Sequence, residues 1–151
     1  MTIFFYKVQD PYGCFSNFSL HRIDLQGHTW PTSEHYYQAQ KYQGTSHQGL
    51  CDQIRQAPTP EAAAALGRNP DYNVQPDWDV IKPKVMYAAV RTKFLAHPTI
   101  QAELLATGDE LIVENSPFDA YWGCGADGNG RNQLGKILMQ VRQDIRQLLQ
   151  H

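Results

Sequence analysis

The chain has 151 residues, enough for one domain whose core buries roughly 70% of the unfolded surface. Its 42% apolar share, with 3 Trp, 8 Tyr and 6 Phe, excludes intrinsic disorder. With 13 Lys and Arg against 15 Asp and Glu, the net charge of −2 provides no broad basic field for gripping a long nucleic acid and leaves room only for a local anion pocket.

Cys14, Cys51 and Cys124 lie far apart, have no paired spacing and leave one over from any disulfide, which suits a reducing interior. Six histidines show no metal-ligand spacing with acids or cysteines, so neither a metal nor a cofactor is expected. The first residues carry no charged leader, and no stretch approaches the roughly 20 apolar residues of a membrane span. A cytoplasmic protein without a membrane partner is the expectation.

In chain order, Ile3 to Val8 is aromatic and β-prone, and Arg22 to Thr29 reads as small strands broken at Gly27. A helix is predicted over Glu34 to Gln43, with Thr32 as its cap and Gly44 as its stop. A second runs from about His47 to Gln56, and a third covers Ala62 to Leu66 behind Thr59-Pro60-Glu61. Met86, Val90 and Phe94 repeat at helical intervals in a fourth, which tolerates Pro83 only in an opening turn and ends near His97-Pro98. A short helix to Thr107-Gly108 precedes a strand over Glu110 to Glu114, with Leu111 and Val113 sharing one face. The last helix, from about Asn132, carries a core stripe of Leu134, Ile137, Leu138, Val141, Ile145, Leu148 and Leu149.

Three segments carry polar and aromatic residues that packing alone does not require. Gly13 to Phe18 can offer Ser16 and Asn17 to a ligand, or can be a capped turn. On the first helix, Glu34, Gln38 and Lys41 share a face, with Glu34 and Lys41 about 10 Å apart along the axis. The helix N-terminus favours ionised Glu34, whereas burial beside Trp30 and Tyr37 favours the neutral acid, so it is a base or charge stabiliser in one case and a proton donor in the other. The third segment joins Asp119 to Gly125 with Gly130-Arg131-Asn132, where amides at a helix start, glycines and Arg131 form either a phosphate cradle or a loop that merely caps the helix. Cys124 has no identifiable base to make it a nucleophile.

Together the segments resemble the NADAR family, also known as YbiA-like. The resemblance runs through Ser16-Asn17-Phe18, Trp30 to Lys41, Gly67-Arg68, Lys93-Phe94, Asp119-Tyr121-Trp122-Gly123 and Gly130 to Gly135, nearly the whole chain. It implies an α+β, mainly helical single domain over 1–151 with a few short strands, and N-glycosidase chemistry on substrates carrying ribose and phosphate. One branch cleaves phosphoribosylamino-pyrimidine intermediates of riboflavin biosynthesis and releases ribose 5-phosphate. Another removes ADP-ribose from modified guanine, and a non-catalytic NAD or ADP-ribose binding module is the contrasting class. The resemblance assigns catalysis to Glu34, Lys41 and Asp119, with Lys41 a candidate for a Schiff base with the sugar. It assigns phosphate contacts to Arg68 and Arg131, base stacking to Trp78 or Trp122 and base hydrogen bonds to Asn17 or Asn132, beside Ser16 and Gly123.

Overall fold

The computed structural model describes residues 1–150. In chain order the elements are β1 (Ile3–Phe5), a 3-10 turn (Gly13–Phe15), β2 (Ile23–Leu25), β3 (His28–Trp30), α1 (Ser33–Gln40), α2 (Leu50–Arg55), α3 (Pro60–Gly67), α4 (Trp78–Ala96), α5 (Pro98–Ala106), β4 (Ile112–Glu114) and α6 (Gln133–Leu149). The fold is α+β and mainly helical, with few short strands. The chain forms two compact units, one from Met1–Ser19 with Phe94 onward and one from Leu20–Lys93.

The Leu20–Lys93 unit opens with a hairpin in which Ile23 faces Trp30 and Leu25 faces His28. Gln26 and Gly27 both have positive φ, 58° and 77°, the backbone that a two-residue turn needs to match the strand twist. Buried Ile23, Trp30, Tyr36, Ala39, Tyr42, Ile54 and Ala63 make its core, so α1 is packed by α2 and α3. All eight residues of α1 are buried, including Glu34, His35, Gln38 and Gln40. That is far from the half-solvated face that its polar residues suggest.

After Gln40 the chain tightens: Lys41, Tyr42 and Gln43 donate to the carbonyls three residues back, and Gly44 stops the spiral with φ 72°. The helix predicted to Gln43 is therefore α-helical only to Gln40. Pro83 lies inside α4 beyond its opening turn, contrary to expectation. There it forfeits one bond to the carbonyl of Asp79, a residue at the solvated start of the helix.

In the other unit, β1 and β4 pair in parallel, Ile3 with Ile112 and Phe5 with Glu114. The face of β4 is the reverse of the predicted one: Ile112 is buried while Leu111, outside the strand, is 51% exposed. The buried alternation follows Ile112 because its partners on β1, Ile3 and Phe5, are themselves inward. Phe15 stacks edge-on against Phe5 and Phe94, both at 5.9 Å. On α6 the apolar stripe holds from Leu134 to Ile145, but Leu148 and Leu149 are 50% and 66% exposed, since the last turn runs past its packing partners.

Candidate active site

The sequence builds α1 from a strong start. Thr32 is extended, φ −146°, and its Oγ1 accepts the His35 amide at 3.1 Å. The same hydroxyl lies 2.7 Å from His35 Nδ1, while His35 Nε2 lies 3.0 Å from the Ala57 carbonyl. Because a carbonyl only accepts, Nε2 carries the proton and the Thr32 hydroxyl donates to Nδ1. Burial pushes the His35 pKa below its ordinary value, against the Ala57 bond that favours the protonated ring. His35 is thus a neutral bolt between the helix start and the segment after α2, and Glu34 beside it is held in the first turn.

Glu34 is 5% exposed and Gln38 is 2% exposed. One turn apart, they meet as their spacing predicts: Gln38 Nε2 donates to Glu34 Oε1 at 2.7 Å. Lys41 ends the row, with its ammonium donating to the Gly67 carbonyl at 2.9 Å and lying 5.7 Å from the centre of the Tyr37 ring. The Tyr42 hydroxyl donates to the same carbonyl at 3.1 Å. Gln75 fixes the helix end, its amide groups bonding the carbonyls of Lys41 at 2.8 Å and Gln40 at 2.7 Å.

This setting changes the chemistry of Lys41. Burial lowers its pKa to about 8; the nearby Glu34 carboxylate opposes the shift, and the positive charges of Arg68 and Lys82 add to it. A lysine with that value carries a useful fraction of neutral, nucleophilic amine near pH 7. Arg68 is exposed at the end of α3, next to Gly67. Trp78 is 6% exposed and tilted against Tyr37 at 5.2 Å. It serves as a wall behind this face, and its expected role as an open stacking platform for a base gives way to core packing.

The remaining sequence candidates lie in the other unit. Ser16 and Asn17 are both 8% exposed, and Ser16 Oγ accepts the Phe18 amide at 3.1 Å. Asp119 Oδ1 accepts the amides of Tyr121 and Trp122 at 2.9 and 2.8 Å, which rigidifies the loop that displays them. Tyr121 and Trp122 meet edge-on at 4.7 Å, and the Arg131 guanidinium lies 5.0 Å from the Tyr121 ring.

Here the structure bears on three expectations. The amides at the start of α6 are not an open anion cradle: Arg131, Asn132, Gln133 and Leu134 donate to the carbonyls of Ala120, Gly123, Tyr121 and Trp122 at 2.7 to 3.0 Å. Gly123 is buried under backbone, where a Cβ would meet the Glu114 carbonyl oxygen at 2.8 Å, so its lack of a side chain serves chain packing. Asn132 is equally committed, because its Oδ1 accepts the Glu114 amide and its Nδ2 donates to the Ile112 carbonyl, both at 2.9 Å. It ties β4 to α6 and has no polar atom left over for a base. Among the described residues no group of three or more His, Cys, Asp and Glu side chains converges to hold a metal ion.

Gln38 and Gly67 stood in the motif segments without a role of their own, and Tyr42 was passed over. Gln38 stood on the helical face, but its value came only with Gly67, whose missing side chain makes the space that the carboxamide fills.

Comparison with known proteins gives the family. A family model described as the NADAR domain matches residues 4–146. N-glycosidase Npun_R5314 of Nostoc punctiforme (strain ATCC 29133 / PCC 73102) is 56% identical over 149 residues, covering 99% of this chain and 96% of that protein. N-glycosidase YbiA of Escherichia coli (strain K12) is 43% identical over 141 residues, 93% of this chain and 86% of that one. The NMR structure of E. coli YbiA matches with a TM-score of 0.89 at 42% identity, over 99% of this chain and 88% of the other. The chloroplastic riboflavin biosynthesis protein PYRR of Zea mays is 42% identical over 155 residues, 95% of this chain but 25% of that protein. The chain therefore belongs to the NADAR family, and its class of activity is that of its N-glycosidase relatives.

Proposed function

We propose that this N-glycosidase hydrolyses the bond between ribose and the exocyclic amine of a phosphoribosylamino-pyrimidine, a riboflavin-pathway intermediate, and releases ribose 5-phosphate. The observation that carries the reading is a half-buried lysine of lowered pKa, Lys41, on one helical face with the buried carboxyl group of Glu34. The riboflavin biosynthesis name of the maize relative supports the substrate class.

A ribosylamine opens to an imine, and a protonated imine carbon is electrophilic. Neutral Lys41 Nζ adds to C1′ of that species, forming a C–N bond. A proton passes from Nζ to the pyrimidine amine, the old C1′–N bond breaks, and the sugar remains on Lys41 as an iminium ion. Water then adds to C1′ and gives a proton to Glu34; Glu34 passes that proton to Nζ and takes the proton of the new C1′ hydroxyl as the C1′–Nζ bond breaks, freeing the sugar aldehyde and the neutral amine and leaving on Glu34 the proton that the next imine takes up. Glu34 also stabilises the positive charge that develops at C1′. Arg68, beside the Lys41 anchor, supplies the cation for the 5′-phosphate.

The test offers the enzyme a phosphoribosylamino-pyrimidine, an ADP-ribosylated guanine oligonucleotide and free ADP-ribose, following sugar release by chromatography and binding by calorimetry. Release of ribose 5-phosphate from the first is expected. Cleavage of the oligonucleotide alone would move the assignment to ADP-ribosyl-guanine, and binding without release would make the chain a recognition module.

A further inference from the structure

We infer that Gln38 is a positioning residue whose carboxamide, held in one orientation over Gly67, keeps Glu34 as an oriented carboxylate. The inference rests on the reading of Glu34 as the acid–base and charge-stabilising group. It starts from a buried atom: among the described residues Gln38 Oε1 meets no hydrogen-bond donor although the residue is 2% exposed. A buried acceptor is left unmet only where the alternative costs more.

The alternative is the reversed amide. Gln38 Nε2 now donates to Glu34 Oε1 at 2.7 Å, and reversal would set carbonyl oxygen against carboxylate oxygen. It would also bring the NH2 group to the place now held by Oε1, 2.0 Å from where a Gly67 Cβ would stand. The Gly67 carbonyl already accepts from Lys41 Nζ at 2.9 Å, and the Tyr42 hydroxyl is shared between it at 3.1 Å and the Leu66 carbonyl at 3.4 Å. Reversal would thus exchange one unmet acceptor for N–H donors beside a carbonyl that is already bonded. A proton on Glu34, donated to the amide oxygen, would remove the first of these two penalties. Amide orientation and carboxylate charge are therefore one coupled state.

Among the other charges, Lys41 on α1 acts on Glu34 directly, and Arg68 after α3 and Lys82 on α4 act on Lys41. His35 is turned to Thr32 and Ala57. Asp52 and Arg55 of α2 pair with each other, Glu61 of α3 is exposed, and His28 of β3 stacks on Trp30.

The experiment follows the Glu34 carboxyl carbon by 13C NMR, assigned by its loss in Glu34→Gln, with pH profiles of kcat and KM measured in parallel. Gln38→Met keeps length and removes both polar atoms; Gln38→Asn keeps the amide but withdraws it by one methylene and serves if the first variant does not fold. The Glu34 midpoint is expected to rise by about one pH unit or more in either variant. The lower inflection of kcat, on the acid side of the rise set by Lys41, should move with it, while KM changes little. An unmoved midpoint, or a kcat lowered equally at every pH, overturns the inference. If Glu34→Gln keeps normal turnover, the catalytic reading of Glu34 has failed, and the NMR midpoint still decides what Gln38 does.

Discussion

At the residue scale, Glu34 is confined between a helix start and a glutamine amide, and it shares a face with a lysine that burial has made partly neutral. Glu34→Gln preserves shape and should leave the melting temperature near that of the parent. Turnover should fall by a factor on the order of 10² to 10³, read as ribose 5-phosphate released per enzyme. In the proposed reaction Lys41 acts as the neutral amine, whose fraction rises with pH through its pKa of about 8. The rate of the chemical step in single-turnover measurements should therefore climb between pH 6 and about 8 and level off above it. A rate that is flat through that window would remove Lys41 as a nucleophile. Glu34 and Lys41 were legible in the sequence because a helix of known phase places i and i+7 on one face. Trp78 was not, since nothing in its neighbourhood tells whether a ring faces a ligand or a tyrosine.

At the element scale, the position of α1 depends on a side-chain bolt at one end and backbone clasps at the other. Thr32→Ala deletes both the bond to the His35 amide and the donor to His35 Nδ1, and should cost about 1–2 kcal/mol in denaturant unfolding. His35 adds a pH dependence. Its folded pKa lies below the unfolded value, so the unfolded chain binds the extra proton first. The contribution of neutral His35 is present above the ordinary histidine range and is lost as pH falls through it; the melting temperature should drop on acidification, and less so in His35→Gln. In the other unit, Asn132 bridges β4 and α6 through both polar atoms of its amide. Asn132→Ala should lower stability by about 1–3 kcal/mol while leaving KM nearly unchanged, whereas a large KM effect in a stable variant would restore it as a ligand residue. Caps and apolar periodicity made most helices readable, as with Thr32, Thr59 and the stripe from Leu134. The face of β4 escaped because a three-residue strand has too little alternation to fix its phase, and its partner β1 lies over a hundred residues earlier in the chain.

At the scale of the whole molecule, a net charge of −2 conceals local concentrations of charge. Arg68 and Lys82 both act on Lys41, so an anionic substrate meets a positive neighbourhood on a nearly neutral protein. Added salt should accordingly raise KM for a phosphorylated ribosylamine, and Arg68→Ala should raise it by roughly 3- to 10-fold and weaken that salt dependence. Composition excluded a broad nucleic-acid surface but could not locate this patch, because burial of Lys41 and the Gly67 carbonyl that anchors it come from chain segments over twenty residues apart. The central claim is that sugar passes through a covalent bond to Lys41. Turnover with a phosphoribosylamino-pyrimidine in the presence of borohydride, followed by peptide mass spectrometry, tests it most directly. The account predicts one reduced sugar-phosphate adduct on Lys41, with activity lost in proportion. Continued turnover without any adduct, or an adduct on another lysine with Lys41 unmodified, would contradict it.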